Sequence, residues 1–123
     1  MAASPTSRSL DYARRQGWHV AVVEKWNPHA RIRQDAFGFA DLLILDDDTG
    51  TLYVQATSGS NVSARLHKLE EMPQVEHALR SGNRVEVWGW RKVKRKLKSG
   101  ALGAPTWQLR RVPLELQTQG LDK

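Results

Sequence analysis

Three polar side chains stand inside or at the ends of apolar stretches of this sequence, where an unpaired polar group is costly to bury. Glu24 closes one apolar run, Asp41 opens a second, and Gln55 lies inside a third. A carboxylate and an amide oxygen that converge on one point are the kind of ligands that a hard cation such as Mg²⁺ prefers. Taken singly, each residue is better explained by a structural role: Asp41 capping a turn and Gln55 hydrogen-bonding within a sheet.

A tight hairpin would bring Asp41 and Gln55 together. The segments 41–45 and 51–57 have the apolar and β-branched composition of strands, and the acidic segment 46–50 between them ends in a turn-forming glycine. Such a hairpin sets Asp41 opposite or diagonal to Gln55 at one end of a sheet. The sequence therefore predicts that a carboxylate and an amide oxygen converge there.

The elements around this hairpin predict a single α/β domain with a central mixed sheet flanked by helices. The other expected elements are, in chain order, a helix over 7–17, a strand over 18–24 covered on both faces, an irregular loop over 26–40, a helix starting at Asn61 or Ser63 and interrupted at Pro73, and strands over 84–90 and 106–112. A length of 123 residues fits one domain, expected over 1–115 with a tail over 116–123.

Composition excludes several classes of protein. The chain has no cysteine, so disulfide scaffolds, thiolate zinc sites and cysteine nucleophiles are excluded. Its longest aliphatic run is far shorter than the roughly 20 residues that span a bilayer, which predicts a protein with no membrane partner.

The four histidines lack metal-ligand spacing, and we retain only His29, in the long loop, as a possible site residue. Asp35 in the same loop is another acid near the expected site, but its loop position leaves its direction open and we interpret it as a solvated acid.

The net charge of +6 comes from one region. Residues 84–111 contain nine Lys and Arg against the single acid Glu86. This large excess of positive over negative residues predicts a surface that binds phosphate, rather than a solvated turn. Trp88 and Trp90 share a face of one expected strand and could stack on unpaired bases, although we expect at least one of them to be a core residue.

A family resemblance adds to this interpretation. Gly38-Phe39-Ala40-Asp41, followed by the hairpin and by Gln55-Ala56-Thr57 before a helix, resembles the PD-(D/E)xK nuclease superfamily in a D…QxT variant. It covers roughly residues 10–90. The resemblance implies a restriction-endonuclease-like fold, whose core is a helix, a strand, a hairpin, a helix and a further strand. It also implies a small phage or bacterial protein, hence a cytoplasmic location in a bacterial or phage-infected cell.

The resemblance implies roles for individual residues. Asp41 matches the metal-binding aspartate, Gln55 the second acidic position, and Glu24 an acid that some members supply from the N-terminal part. The Ala56 carbonyl would complete a site for Mg²⁺ or Mn²⁺. Thr57 stands where the family has a lysine that orients or deprotonates the attacking water.

The positive charge missing at Thr57 is expected from Arg65 or Lys68 on the following helix. The residues predicted to contact nucleic acid are Arg31, Arg33, Ser58, Ser60, Asn61, Arg65, Arg91, Lys92, Lys94, Arg95, Lys96 and Lys98. For the serine-rich stretch before the helix, an ordinary helix cap is an equally good interpretation.

These features predict a metal-dependent endonuclease that hydrolyses DNA phosphodiester bonds, structure-selectively or without specificity, on duplex or branched DNA and as a homodimer. The alternative is a catalytically inactive nucleic-acid-binding module of the same fold. A third hypothesis is a protein-interaction or inhibitor role in phage defence.

Overall fold

The computed structural model of the chain describes residues 3–116, which form three helices, a five-stranded sheet and a separate two-stranded sheet. In chain order the elements are α1 (Pro5–Arg15), β1 (His19–Val22), β2 (Lys25–Asn27), β3 (Ile32–Gln34), β4 (Leu42–Leu45), β5 (Leu52–Ser58), α2 (Val62–Glu70), α3 (Pro73–Arg80), β6 (Arg84–Lys96) and β7 (Leu102–Leu114). A short 3₁₀ turn, Gly59–Asn61, joins β5 to α2. The predicted α/β class is confirmed.

The large sheet has the strand order β1-β4-β5-β6-β7. Only β5 and β6 are parallel, and every other neighbouring pair is antiparallel. The crossover between the parallel strands carries α2 and α3, as a parallel connection requires. β2 and β3 form the second sheet, an antiparallel hairpin between β1 and β4. Within the described residues, no helix is long and apolar enough to cross a membrane.

Helices cover both faces of the large sheet. On one face α1 packs through Ala13 on a buried cluster whose other members are Leu42, Ile44, Leu52, Val54 and Trp88. On the other face α2 and α3 contribute to a second buried cluster, formed by Phe39, Ala40, Val62, Leu69, Val75, Val85, Val87 and Leu114. Residues 52 and 54 belong to the first face because alternate side chains of a strand point to opposite faces. Gln55 therefore belongs to the second face, with α2.

Two strand predictions were wrong. The apolar run from Trp18 was expected to be a strand covered on both faces, yet β1 is an edge strand, and only Val20 of its four residues is even partly buried, under α1. The segment 26–40 was expected to be irregular, yet it contains β2 and β3. The hairpin was missed because its strands have only three residues each, too few for an alternation to be detected.

The C-terminal strands are longer than predicted. β6 continues past Trp90 to Lys96 and β7 begins at Leu102, so most of the expected basic loop is a paired hairpin with a bulge between Lys94 and Lys96. The first helix begins at Pro5 rather than at Ser7, with Ser4 Oγ accepting from the backbone N–H of Ser7 at 3.1 Å. Of the expected tail, residues 117–123 lie outside the described part of the chain.

Trp88 and Trp90 are both core residues. The indole N–H of Trp88 donates to Glu86 Oε1 at 2.7 Å, and that of Trp90 donates to Ser9 Oγ at 2.9 Å. Glu86 also accepts from Arg111 Nε at 2.8 Å, which pairs the one acid of the basic region with a cation. Both indoles are therefore committed to packing and are not available to stack on bases.

A glycine on β6 lets the 3₁₀ turn approach the sheet. A Cβ on Gly89 would collide with the Val62 side chain and come within 3.3 Å of Gly59 Cα. We therefore expect Gly89→Ala to lower the free energy of unfolding by about 1–3 kcal/mol through overpacking, measured by urea denaturation. The double variant Gly89→Ala/Val62→Ala should lose less stability than the sum of the losses in the two single variants, because the smaller side chain makes room for the new Cβ. An additive double variant would contradict the collision.

Candidate metal centre

Two consecutive turns between β1 and β4 hold three acidic side chains. The first is the β2–β3 hairpin, in which Lys25 pairs with Gln34. Glu24 directly precedes this pair and Asp35 directly follows it, so the two acids flank the base of the hairpin. The hairpin thereby brings together residues that are eleven positions apart in sequence.

The second turn is tighter and joins Asp35 to Asp41. Ala36 and Ala40 form an isolated antiparallel bridge, with the Ala36 N–H donating to the Ala40 carbonyl at 2.8 Å. Between them, Phe37 and Gly38 have φ of 56° and 81°, the left-handed region that lets the chain reverse within so few residues. Asp35 and Asp41 flank this bridge on its two sides.

Glu24, Asp35 and Asp41 form what we call the acidic cluster. One carboxylate oxygen of each lies within 4.8 Å of the others. Backbone contacts hold the ends of the turns, because the N–H groups of Val23 and Glu24 both donate to the Asp41 carbonyl, at 2.9 and 3.3 Å. The interpretation of Asp35 as a solvated loop acid was therefore wrong, since the turns on either side of it bring it to Asp41.

Asp41 is the buried member of the cluster, with 5% of its surface exposed. Its Oδ2 accepts from the Ala56 N–H at 2.7 Å, and its own N–H donates to the Val54 carbonyl at 2.8 Å. Burial raises the pKa of Asp41 to about 8, and a side-chain hydrogen bond with Asp35 adds to this, whereas the Ala56 N–H opposes it. Without a bound cation, the folded protein holds a proton on this carboxyl near neutral pH.

Gln55 lies where the hairpin predicts. β4 and β5 pair with Leu42 opposite Val54, so the next position along the register sets Asp41 beside Gln55. Gln55 is 1% exposed, and its Nε2 donates to the Phe39 carbonyl at 2.8 Å. That bond turns Oε1 toward Arg65, whose Nη1 lies 3.5 Å away. Gln55 thus supports the turn that carries Asp41, and its role as a metal ligand stays a prediction.

The other residues predicted for the site have different surroundings. The contact that Ala56 makes with Asp41 is through its N–H, and the role of its carbonyl as a metal ligand stays a prediction. Thr57 is buried in β5, and Lys68 is exposed on α2. Of the two cations proposed to replace the family's lysine, Arg65 is the one that reaches Gln55.

A second arginine contacts the acidic cluster directly. Arg33 Nη1 lies 3.4 Å from Glu24 Oε1, and the Arg33 side chain is 66% exposed. Since an arginine does not lose its proton in proteins, Arg33 and Arg65 supply fixed positive charge and cannot act as bases. The Arg33 end of this pair is open to solvent, whereas the Glu24 side chain is only 15% exposed, so Arg33 can turn to another partner where a bound cation replaces it at Glu24.

The basic β6–β7 hairpin projects from the same end of the sheet as the acidic cluster. β6 runs parallel to β5, with Ser58 opposite Trp90, so the residues after Trp90 extend beyond the end of β5. Glu24 after β1 and Asp41 before β4 lie at this end as well. Residues 91–111 hold eight Lys and Arg and no acid, and the five on the projecting arm of β6 are all exposed: Arg91, Lys92, Lys94, Arg95 and Lys96.

The remaining residues predicted to bind nucleic acid lie at the end of β5, in the 3₁₀ turn or on loops. Ser58 Oγ and Ser60 Oγ are 3.3 Å apart at the 3₁₀ turn, and Asn61 precedes α2 without a side-chain capping bond in the described structure. Arg31, with φ of 58°, is exposed in the turn between β2 and β3, as is His29. Neither His29 nor Lys98, beyond the end of β6, belongs to the acidic cluster.

The chain was compared with known proteins at three levels. Neither protein-family models, nor curated proteins, nor solved structures gave a match. The features of this chain that bear on its function are therefore three carboxylates, two arginines and a basic hairpin at one end of a mixed α/β sheet.

Proposed function

We propose that this protein is a divalent-metal-dependent nuclease that hydrolyses DNA. The observation that carries the proposal is the convergence of Glu24, Asp35 and Asp41, from three separate points of the chain, within 4.8 Å of one another. This convergence occurs at the end of the sheet from which the basic hairpin projects. A metal site and a phosphate-binding surface at one end of a domain are the two parts that phosphodiester hydrolysis requires.

The donor set fits Mg²⁺ or Mn²⁺. All three side chains of the cluster offer carboxylate oxygens, which are the ligands that hard cations select, and the described cluster contains no nitrogen or sulfur donor. A bound cation would also favour loss of the Asp41 proton and offset the repulsion between the three carboxylates that result. When bound, it would supply Lewis-acid polarisation of the phosphate and a more acidic attacking water.

The order of elements supports the proposed restriction-endonuclease-like fold. The chain presents a helix, an edge strand, an antiparallel hairpin, a helical crossover and a strand parallel to the hairpin's second strand. This is the order that the resemblance implies. Asp41 at the start of β4 and Gln55 on β5 stand where the superfamily carries its two metal-binding positions.

The protein's own groups have separable roles in this proposal. Asp41 and its two neighbours hold the cation, while Arg65 and the exposed Arg33 face the negative charge of the phosphate. Neither arginine can take the proton of the attacking water. We propose that the second oxygen of Glu24 or Asp35, the one that does not hold the cation, accepts it in place of the lysine that Thr57 replaces.

The proposal is tested by incubating the protein with circular, linear, single-stranded and branched DNA in Mg²⁺ or Mn²⁺. We expect cutting that EDTA abolishes, and a loss of about 100-fold or more in Asp41→Asn, since removing a group that merely supports a metal ligand already costs about 10–100-fold. Asp47→Asn, on the exposed turn at the other end of β4, is the matched control and should cut normally. Equal cutting by Asp41→Asn would show that the site is misassigned.

The inactive nucleic-acid-binding module remains the second candidate. The observation that favours it is Thr57, which is buried and brings no charge, while Lys68 stays exposed on α2. It would show DNA binding with no EDTA-sensitive cutting on any of the four substrates. Recognition of duplex or branched DNA and pairing of two copies are further proposals that depend on the resemblance alone.

A further inference from the structure

The β2–β3 hairpin carries an exposed tryptophan next to the acidic cluster. Trp26 is 55% exposed and pairs across the hairpin with Arg33. Because alternate residues of a strand share a face, Trp26 lies on the face of Glu24, and Arg33 lies on the face of Asp35. From its base outward, this face presents two carboxylates and then an aromatic ring beside a guanidinium.

The spacing of these groups suits a nucleic-acid strand. Two residues along a strand span about 6–7 Å, which is about the length of two stacked nucleotides at roughly 3.4 Å each. A phosphodiester held at the acidic cluster would therefore place a base within two nucleotides of it at Trp26. Arg33, which is 66% exposed and whose ion pair within the described residues is with Glu24, would face the phosphate between them.

Trp26 differs from the two buried tryptophans of β6 and is not part of the core. Trp88 and Trp90 are buried and their indole N–H groups are hydrogen-bonded, whereas neither buried cluster includes Trp26. Arg33 lies directly across the hairpin from the ring, and Lys25 and Arg31 add positive charge to the same hairpin. An exposed ring among cations is the arrangement by which proteins stack on unpaired bases.

We propose that the β2–β3 hairpin is a stacking platform for an unpaired base next to the phosphodiester at the acidic cluster, so that the preferred substrate is DNA with single-stranded or unpaired nucleotides. This inference rests on the proposed nuclease function and narrows its substrate. A base inside an intact duplex is stacked on both sides and cannot lie on Trp26 without being extruded, which has its own cost. Intact duplex should therefore gain little from this residue.

The test compares binding of a fluorescein-labelled single-stranded oligonucleotide with binding of its duplex, by anisotropy in Ca²⁺ buffer. Trp26→Ala should weaken single-strand binding by about tenfold or more, because one stacked base contributes about that much. Duplex binding should change less than about twofold. Trp26→Phe, which keeps a ring, should retain most single-strand affinity. Leu45→Ala, equally exposed at the opposite end of the sheet, is the control and should bind as the parent does.

Equal losses on both DNAs, or no loss on either, would overturn the stacking platform. The same proteins are assayed for EDTA-sensitive cutting alongside Asp41→Asn, which tests the nuclease separately. Suppose that Asp41→Asn abolishes cutting but Trp26→Ala leaves the ratio of single-strand to duplex binding unchanged. That result would refute the stacking platform and support the nuclease. If Trp26→Ala selectively loses single-strand binding but the parent shows no cutting, the stacking platform is supported and the protein is a binding module instead of a nuclease.

Discussion

Replacing Asp41 with asparagine is expected to stabilise the metal-free protein at pH 8 while abolishing its stabilisation by Mn²⁺. The pKa of the Asp41 carboxyl rises from 3.8 to about 8 on folding, so the folded state binds the proton more tightly than the unfolded state does. The contribution of this group to stability is therefore complete below about pH 4 and is lost as the pH rises to about 8. Asparagine has no such proton to lose.

The size of the effect follows from linkage. Asp41 alone makes the free energy of unfolding fall by up to about 1.4 kcal/mol for each pH unit within that window. Urea denaturation of the parent in EDTA should show this fall between about pH 5 and 8, and Asp41→Asn should remove most of it. With Mn²⁺ at about 100 times its Kd, the parent should gain about 2.7 kcal/mol and the variant almost nothing.

Asp46→Asn is a control for which we expect the opposite change in stability with pH. A hydrogen bond from Arg84, at 2.6 Å, lowers the pKa of Asp46, so its contribution to stability is present above its ordinary pKa and is lost in acid. Asp46→Asn should therefore destabilise the protein at pH 7 and leave the response to Mn²⁺ intact. If the parent's stability were flat or rising between about pH 5 and 8, the burial of the Asp41 carboxyl would be contradicted.

Neutralising the projecting hairpin is expected to flatten the salt dependence of DNA binding. Each phosphate contact on duplex DNA contributes about 0.9 to the slope of log K against log salt. Changing Lys94, Arg95 and Lys96 to glutamine should therefore reduce the slope by up to about 2.7, with the largest loss of affinity at low salt. Titrations between about 50 and 200 mM salt, followed by anisotropy, measure it.

A second triple variant with the same net charge tests whether the position of the removed cations matters. Arg14, Arg15 and Arg80 are exposed at the end of α1 and the end of α3, which precede the strands at the opposite end of the sheet. Changing these three to glutamine removes the same charge and should leave the slope nearly unchanged. Equal slopes for both triple variants would mean that net charge, rather than the hairpin, attracts DNA.

Local patterns made the β4–β5 hairpin predictable. The acidic turn ending in Gly50 and the two apolar strands around it fix which residues pair, and with them the placement of Asp41 beside Gln55. The helical crossover was predictable for the same reason, because the break at Pro73 and the apolar spacing of α2 are short-range signals. Both features depend on contacts between residues that are near in sequence.

Asp35 and the edge position of β1 could not be derived in that way. Asp35 reaches Asp41 only because a three-residue strand pair and a turn with two left-handed residues adjoin it, and Gly38 was the one visible signal of that reversal. The apolar run of β1 is compatible with a buried or an edge strand, and the order of the sheet decides between them. Trp26, for its part, became a candidate only once Trp88 and Trp90 proved to be buried.

The most direct test of the central claim is the position of a divalent cation in a crystal grown with Mn²⁺. We expect an anomalous-difference peak bonded to carboxylate oxygens of Glu24, Asp35 and Asp41, and its disappearance in Asp41→Asn under the same conditions. A crystal with saturating Mn²⁺ and no peak at the acidic cluster, or an equal peak in Asp41→Asn, would contradict the metal centre.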